Sequence, residues 1–254
     1  MNTITSYQSF RSYMDQLLVS PEPHKKLRCL AEQNILQQFF PELDALRGVE
    51  QPERWHPEGD VFEHTLLMLS HMVWQTPLLG WCILMHDIGK KAAQTFDEDG
   101  IPHFYGHEAV GGDMCRNILA RYDFDEGSIH RIELAVRTHM SFTNLKLMRK
   151  KKQFRLLDQE DFDLHLELHR LDCICSNGIL ENYLLLLDLK REAALNPPPP
   201  PPFITGKDLL ALGLIPGPVF SKILNETFIL QCSGKIKNRK NALKYVEKML
   251  TYTP

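Results

Sequence analysis

Trp81-Cys82-Ile83-Leu84-Met85-His86-Asp87-Ile88-Gly89-Lys90 is an apolar run that stops abruptly at an ionisable pair. Five consecutive apolar residues read as an element buried on all sides, so the chain carries an imidazole and a carboxylate into its interior. Two such groups are costly there unless they are paired or bind a metal. Gly89 reads as a helix stop. Adjacent helical residues diverge by about a hundred degrees, yet at a fraying last turn both side chains can converge on one ion, leaving Lys90 at the rim. Taken alone, the pair is also satisfied by a plain His–Asp hydrogen bond in the core. The histidines elsewhere in the chain weigh against that reading.

On the N-terminal side, Asp60-Val61-Phe62-Glu63 has capping-box spacing and opens a helix reaching about Val73, with His64 and His71 seven apart on one face. Before it, residues 48–59 form a loop by their prolines and glycines. Residues 17–40 carry apolar side chains at helical spacing, interrupted by Pro21 and Pro23 and ended by Pro41, which predicts two short helices. On the C-terminal side, Asp97-Glu98-Asp99-Gly100 is a turn, and Phe104-Tyr105-Gly106-His107-Glu108-Ala109-Val110-Gly111-Gly112 opens a helix running to about Tyr122. Residues 127–139 form an amphipathic helix that ends, like the first stretch, in a histidine. Residues 144–155 are basic, and the ordinary reading of such a run is a solvated face.

Residues 162–176 are helical, with Leu164, Leu168, Leu171 and Ile174 on the core side and His165, His169 and Asp172 on another; residues 179–194 make one more, leucine-rich helix. Six consecutive prolines, 197–202, can be neither helix nor central strand and read as a stiff polyproline spacer. Beyond them come three short helices, near 205–212, 219–230 and 238–250. No alternating strand pattern of useful length and no internal repeat is found, so the expected fold class is all-α. The expected organisation is residues 1–50 as helices packed on a core, 51–196 as a metal-binding domain, and 197–254 as linker and helical tail.

With 254 residues, 43% of them hydrophobic, and a formal net charge of -3, the chain can bury a sizeable core and has no global attraction for nucleic acid. Six scattered cysteines without a CxxC pair suit reduced core thiols better than disulfides or structural zinc. With no apolar h-region at the N-terminus and no run of spanning length, a cytoplasmic protein with no membrane partner is expected.

The candidates that could join His86 and Asp87 are His64, His107, His139 and Asp172, each on or at the end of a different predicted helix, as when facing helices build a metal site in a bundle core. Imidazoles and carboxylates without cysteine suit Fe, Mn, Ni or Zn. Around two ions Asp87 is the natural bridge, and two such ions favour phosphoester hydrolysis. A rival is the local set His165, His169 and Asp172, spaced i, i+4, i+7 on one helix; spacing alone does not reject it.

His64, the His86-Asp87 doublet within His-Asp-Ile-Gly-Lys, and Asp172 resemble the ordered signature of the HD-domain phosphohydrolase superfamily, with His107 and His139 where its two-metal members place further histidines. The resemblance is closer still to the HD region of bacterial tRNA nucleotidyltransferases and poly(A) polymerases. It is carried by Trp55-His56-Pro57-Glu58-Gly59-Asp60-Val61-Phe62-Glu63-His64-Thr65, by residues 104–112, by Leu168-His169-Arg170-Leu171-Asp172 and by Leu214-Ile215-Pro216-Gly217-Pro218, over residues 41–230 or so. It implies an HD-type helical bundle and divalent metal ions, two in number (Fe, Mn, Ni, Zn or Mg). His64, His86, Asp87 and Asp172 would hold the first, and Asp87, His107 and His139 the second. It also implies water activation at Asp87, with Lys90, Glu108 and Arg170 facing a small phosphorylated substrate such as a nucleotide or cyclic phosphodiester. In those enzymes the HD region follows a nucleotidyltransferase head, whereas the forty-odd residues before it here lack a Gly-Ser…Asp-x-Asp pattern, so nucleotide addition is not expected. The alternative is a non-catalytic module in which the same scaffold, its basic stretch and its C-terminal helices grip RNA such as tRNA.

Overall fold

The computed structural model describes residues 4–195 and 200–251. Two compact units, Met1–Arg191 and Glu192–Pro254, divide the chain. In the first, helices α1 (Tyr7–Leu18), α2 (Pro23–Glu32), α3 (Ile35–Phe39) and α4 (Pro41–Asp44) precede α5 (Val61–Ser70), α6 (Pro77–Met85) and α7 (Lys90–Ala93). A short hairpin of two-residue strands, β1 (Thr95–Phe96) with β2 (Pro102–His103), leads to α8 (His107–Arg121), α9 (Glu126–Thr138), α10 (Lys150–Leu157), α11 (Phe162–Cys175) and α12 (Glu181–Leu195), the unit boundary falling after Arg191 within α12. The class is all-α, the expected one. The hairpin is too short for an alternating pattern, and the expected turn over residues 97–100 closes it through Gly100 N–H on Asp97 O and Asp97 N–H on Ile101 O.

Helix α6 forms because Thr76 accepts a hydrogen bond from Leu79 N–H (3.2 Å) and Pro77 stands at the first helical position. From Leu79 onward every residue of it is buried, as the apolar run requires. Trp81 satisfies its indole N–H on Asp15 of α1 (2.7 Å), and Gly80 leaves room for Leu18, whose side chain would lie 2.8 Å from a Cβ there. Residues 7–18 form a helix started by a Ser6–Ser9 capping box, so four helices span residues 7–44 where two short ones were expected over residues 17–40. Pro41 starts a helical turn instead of only ending one, since a first-turn proline lacks only an N–H that would be unbonded anyway. The capping box at Asp60 is half formed: Asp60 accepts from Glu63 N–H (2.8 Å), but the Glu63 carboxylate turns away to Arg28.

The loop before α5 is pinched shut at its ends by a bridge between Glu50 and Asp60 and by Gly48 N–H donating to Asp60 Oδ2 (2.7 Å). This holds residues 51–59 over one end of the helical core. Helices α8 and α9 pack along one another, and α8 reaches the turn after α6 through a glycine contact: a Cβ on Gly89 would stand 2.2 Å from His107 O and 2.5 Å from Gly111 N. Only a residue without a side chain admits that approach, and it sets His107 beside Asp87.

In the second unit α13 (Gly206–Ala211), α14 (Pro218–Cys232) and α15 (Arg239–Thr251) enclose their own core of Ile204, Leu209, Ile223, Ile236, Ala242 and Val246. Prolines 197–199 of the polyproline run lie outside the described residues. Among the described residues no helix is long and apolar enough to cross a membrane, and the six cysteines are free thiols.

Candidate metal centre

His86 and Asp87 follow the last helical residue of α6, where the chain turns toward α7. Both are buried, and the side chains that converge on them come from α5 (His64), α8 (His107), the turn after α9 (His139) and α11 (Asp172). Three imidazoles are held in the same way. His86 Nδ1 donates to Ile83 O (2.8 Å), His107 Nδ1 to Phe104 O (2.8 Å) and His139 Nδ1 to Val136 O (2.6 Å), each a carbonyl three residues upstream. A neutral imidazole that spends its proton at Nδ1 presents a bare lone pair at Nε2.

These Nε2 atoms meet. His107 Nε2 and His139 Nε2 are 3.1 Å apart, and Asp87 Oδ1 lies 3.2 Å from the first and 3.8 Å from the second. His86 Nε2 lies 3.1 Å from Asp87 Oδ2. Burial opposes charging His107, but the Asp87 carboxylate beside it raises its pKa above the ordinary value, so a proton on His107 Nε2 sits where a cation would otherwise balance these acceptors. Potential ligand atoms lie within 4.8 Å of one another in the groups Asp87–His107–His139 and His64–His86–Asp87, with a third, His56–Glu58–His64, outside them. The donor set, imidazole and carboxylate with no thiolate, fits a divalent transition-metal ion.

His64 shows how the centre is kept charged-balanced when a proton fills that role. Its Nδ1 is 2.6 Å from Glu58 Oε1 and its Nε2 3.2 Å from Asp172 Oδ1. Burial opposes charging the ring, but the two carboxylates outweigh it and push its pKa up to about 9. Glu58 is correspondingly held down to about 2, its burial outweighed by hydrogen bonds from His56 and His64, and Asp172 is held below the usual carboxylate range against its own burial, chiefly by His64. His139 lacks such a partner, and burial pushes it down to about 4. Burial would raise Asp87, but His86, the Lys90 ammonium and the His107 hydrogen bond hold it well below its ordinary value.

Lys90 does not stand at the rim. It is 6% exposed, with Nζ 2.7 Å from Asp87 Oδ2 and donating to Gln51 Oε1 at 2.6 Å. One turn past Asp87 its stem is packed into the core, so the ammonium must pair where it is. Arg170 is engaged by Glu167 through two hydrogen bonds (2.6 and 2.7 Å) and does not line the cavity above the centre. Glu108, in the first turn of α8, is also absent from that lining, its carboxylate 3.6 Å from His107 Nδ1. None of the basic residues of 144–155 lines it either. His71 is exposed at the end of α5. In the local rival set, His165 turns its Nδ1 toward Thr138 (3.4 Å), His169 lies against Cys173 and Phe142, and Asp172 meets His64; the three form no ligand group among the described residues.

Glu58, His56 and Gln51 were not singled out as site residues from sequence. They sit in a loop without periodicity, and only the pinching of its ends brings them over the centre. The cavity, about 790 Å³, has Asp87, Lys90, His107, His139 and Asp172 on its floor.

The chain is 33% identical over 165 residues to the multifunctional CCA protein of Pasteurella multocida, covering 56% of this chain and 39% of that protein. It is 29% identical over 236 residues to the CC-adding tRNA nucleotidyltransferase of Thermus thermophilus (89% of this chain, 53% of that one) and 28% identical over 261 residues to the A-adding tRNA nucleotidyltransferase of Deinococcus radiodurans (98% and 60%). The chain is homologous to the tRNA nucleotidyltransferases over much of its length. It spans between 39% and 60% of these relatives' own length. No family model matches it.

Proposed function

We propose that the chain is a metal-dependent phosphohydrolase of the HD-domain type, acting on a phosphomonoester or on a nucleotide or cyclic phosphodiester. One observation carries the reading: buried imidazoles, fixed by their own backbone carbonyls, converge on the Asp87 carboxylate beneath an open cavity. His64, His86, Asp87 and Asp172 would hold one ion, and Asp87, His107 and His139 a second. Divalent ions bound there would polarise a phosphoryl oxygen and lower the pKa of water.

The chain's own residues do the rest. Carbonyls 83, 104 and 136 hold three rings in one tautomer, so no reorganisation is needed when charge develops. Glu58 holds His64 in the corresponding state. An ammonium has three donors; Asp87 and Gln51 take two from Lys90, and the third is available to a phosphoryl oxygen. Arg170 and Glu108 have no part in this reading, because the first is bound to Glu167 and neither borders the cavity.

The test is to strip the protein with chelator, reload it with Mn²⁺, Ni²⁺, Fe²⁺, Zn²⁺ and Mg²⁺ in turn, and assay phosphomonoesters and 2′,3′-cyclic nucleotides beside an Asp87→Ala control. Release of phosphate or nucleotide that depends on metal and on Asp87 is expected. If no metal gives turnover above the control, the homology to tRNA nucleotidyltransferases favours the RNA-binding module, whose signature is a tRNA mobility shift that weakens steeply with salt.

A further inference from the structure

The cavity changes character from floor to rim. Its floor is polar and buried, with Asp87 only 2% exposed, whereas its rim carries Trp55 at 47% and Tyr105 at 81% exposure. Single exposed aromatics are ordinary on a protein surface; two of them on the mouth of one cavity, each already stacked on one side, are a different matter. The Arg54 guanidinium lies over the Trp55 ring at 4.9 Å. The His103 ring lies parallel to Tyr105, 5.3 Å away at an interplanar angle of 8°, and is itself tied to Asp97 (3.0 Å) across the hairpin. Each aromatic thus has one neighbour that fixes its plane and a large remaining surface turned to solvent. Phe104, next to Tyr105 in the chain, continues the apolar wall down to Lys90, whose ammonium is 5.5 Å from its ring centroid.

We propose that Trp55 and the His103–Tyr105 pair form a base-stacking subsite, so that the ligand of this cavity is a nucleoside phosphate whose ring system rests on the rim while its phosphate reaches the floor. The placing of the phosphate rests on the phosphohydrolase reading; the stacking of the base does not. A planar, electron-poor ring system is what preset aromatic faces take up, with little demand on sequence. The open cavity of about 790 Å³ accommodates a mononucleotide. The same chemistry could come from a free nucleotide or from the end of an RNA strand.

The experiment compares adenosine 5′-monophosphate with ribose 5-phosphate, which differ only in the base, in the metal-loaded full chain and in its Trp55→Ala, Trp55→Phe and Tyr105→Ala variants. Both side chains are exposed, so the substitutions leave the core intact. The adenosine compound should have the lower KM. Each alanine variant should erode that preference by between about fivefold and a hundredfold, with kcat for ribose 5-phosphate unchanged and Trp55→Phe retaining most of the preference. Calorimetric binding of adenosine 5′-thiomonophosphate provides a readout that needs no turnover, and a three-residue RNA in the same titration separates strand end from mononucleotide. If phosphate is never released yet the thiophosphate binds and the alanine variants weaken it, the subsite stands and the hydrolase reading falls. If both sugars' phosphates are cleaved or bound alike and the variants leave the ratio unmoved, the subsite is refuted and the hydrolase reading survives.

Discussion

Replacing Asp87 by Asn keeps the side chain's shape and removes its charge, which leaves the Lys90 ammonium buried with only the neutral Gln51 as partner. At 2.7 Å and an effective dielectric constant of about 20, the Asp87–Lys90 attraction is about 6 kcal/mol before desolvation. Removing one member of a buried ion pair costs about 3–5 kcal/mol in practice. For a unit of this size each kcal/mol corresponds to about 2–4 °C in Tm, so Asp87→Asn should melt roughly 6–20 °C lower in the presence of chelator. Adding Lys90→Met should recover at least roughly half of the loss, because the uncompensated charge is then gone. Thermal melts followed by circular dichroism, with chelator throughout, measure this double-mutant cycle free of metal binding. The reasoning fails if Asp87→Asn melts with the wild type, or if Lys90→Met deepens the loss instead of relieving it.

Glu58→Gln should weaken metal binding by about tenfold to a hundredfold, measured by competition with a chromogenic chelator, because His64 loses the carboxylate that fixes its Nδ1 proton. Gly89→Ala drives a methyl group into the backbone of α8 and should destabilise by about 1–3 kcal/mol or more, read from urea melts. His165 is buried, its Nε2 without a hydrogen-bond partner among the described residues, and burial lowers its pKa below the ordinary value of about 6.5. The unfolded chain therefore binds the extra proton first, and stability falls as pH drops below about 6.5, by up to about 1.4 kcal/mol per pH unit. His165→Leu should flatten that part of the pH–stability curve relative to the wild type. A chain ending at residue 195 should keep its helical signal and its bound metal, since Ile223 and its neighbours form a separate core in the second unit; an insoluble product would count against it.

The sequence alone determined the class of fold and named most of the side chains that converge on the candidate centre. Periodicity located α5, α8, α9 and α11 to within a few residues, because amphipathic helices write their buried face into the chain at a fixed spacing. The apolar run 81–85 announced that His86 and Asp87 are carried inside, which is a matter of local composition. What lies in loops was not legible: residues 51–59 have no period, so neither the hold of Glu58 on His64 nor that of Gln51 on Lys90 could be read there. The fate of the charged side chains was also decided only in three dimensions. Lys90, Arg170 and Glu108 are alike in sequence as polar residues near candidate ligand positions, yet one is buried on Asp87, one is bound to Glu167 and one is half-exposed beside His107. A charged head goes wherever its nearest partner and its desolvation cost together allow, and those are properties of the packed neighbours and not of the chain. The orientations of His86, His107 and His139 follow the same rule, since helix and turn geometry put a carbonyl three residues back within reach of each Nδ1 and turn each Nε2 toward Asp87. That convergence at one point belongs to the tertiary structure.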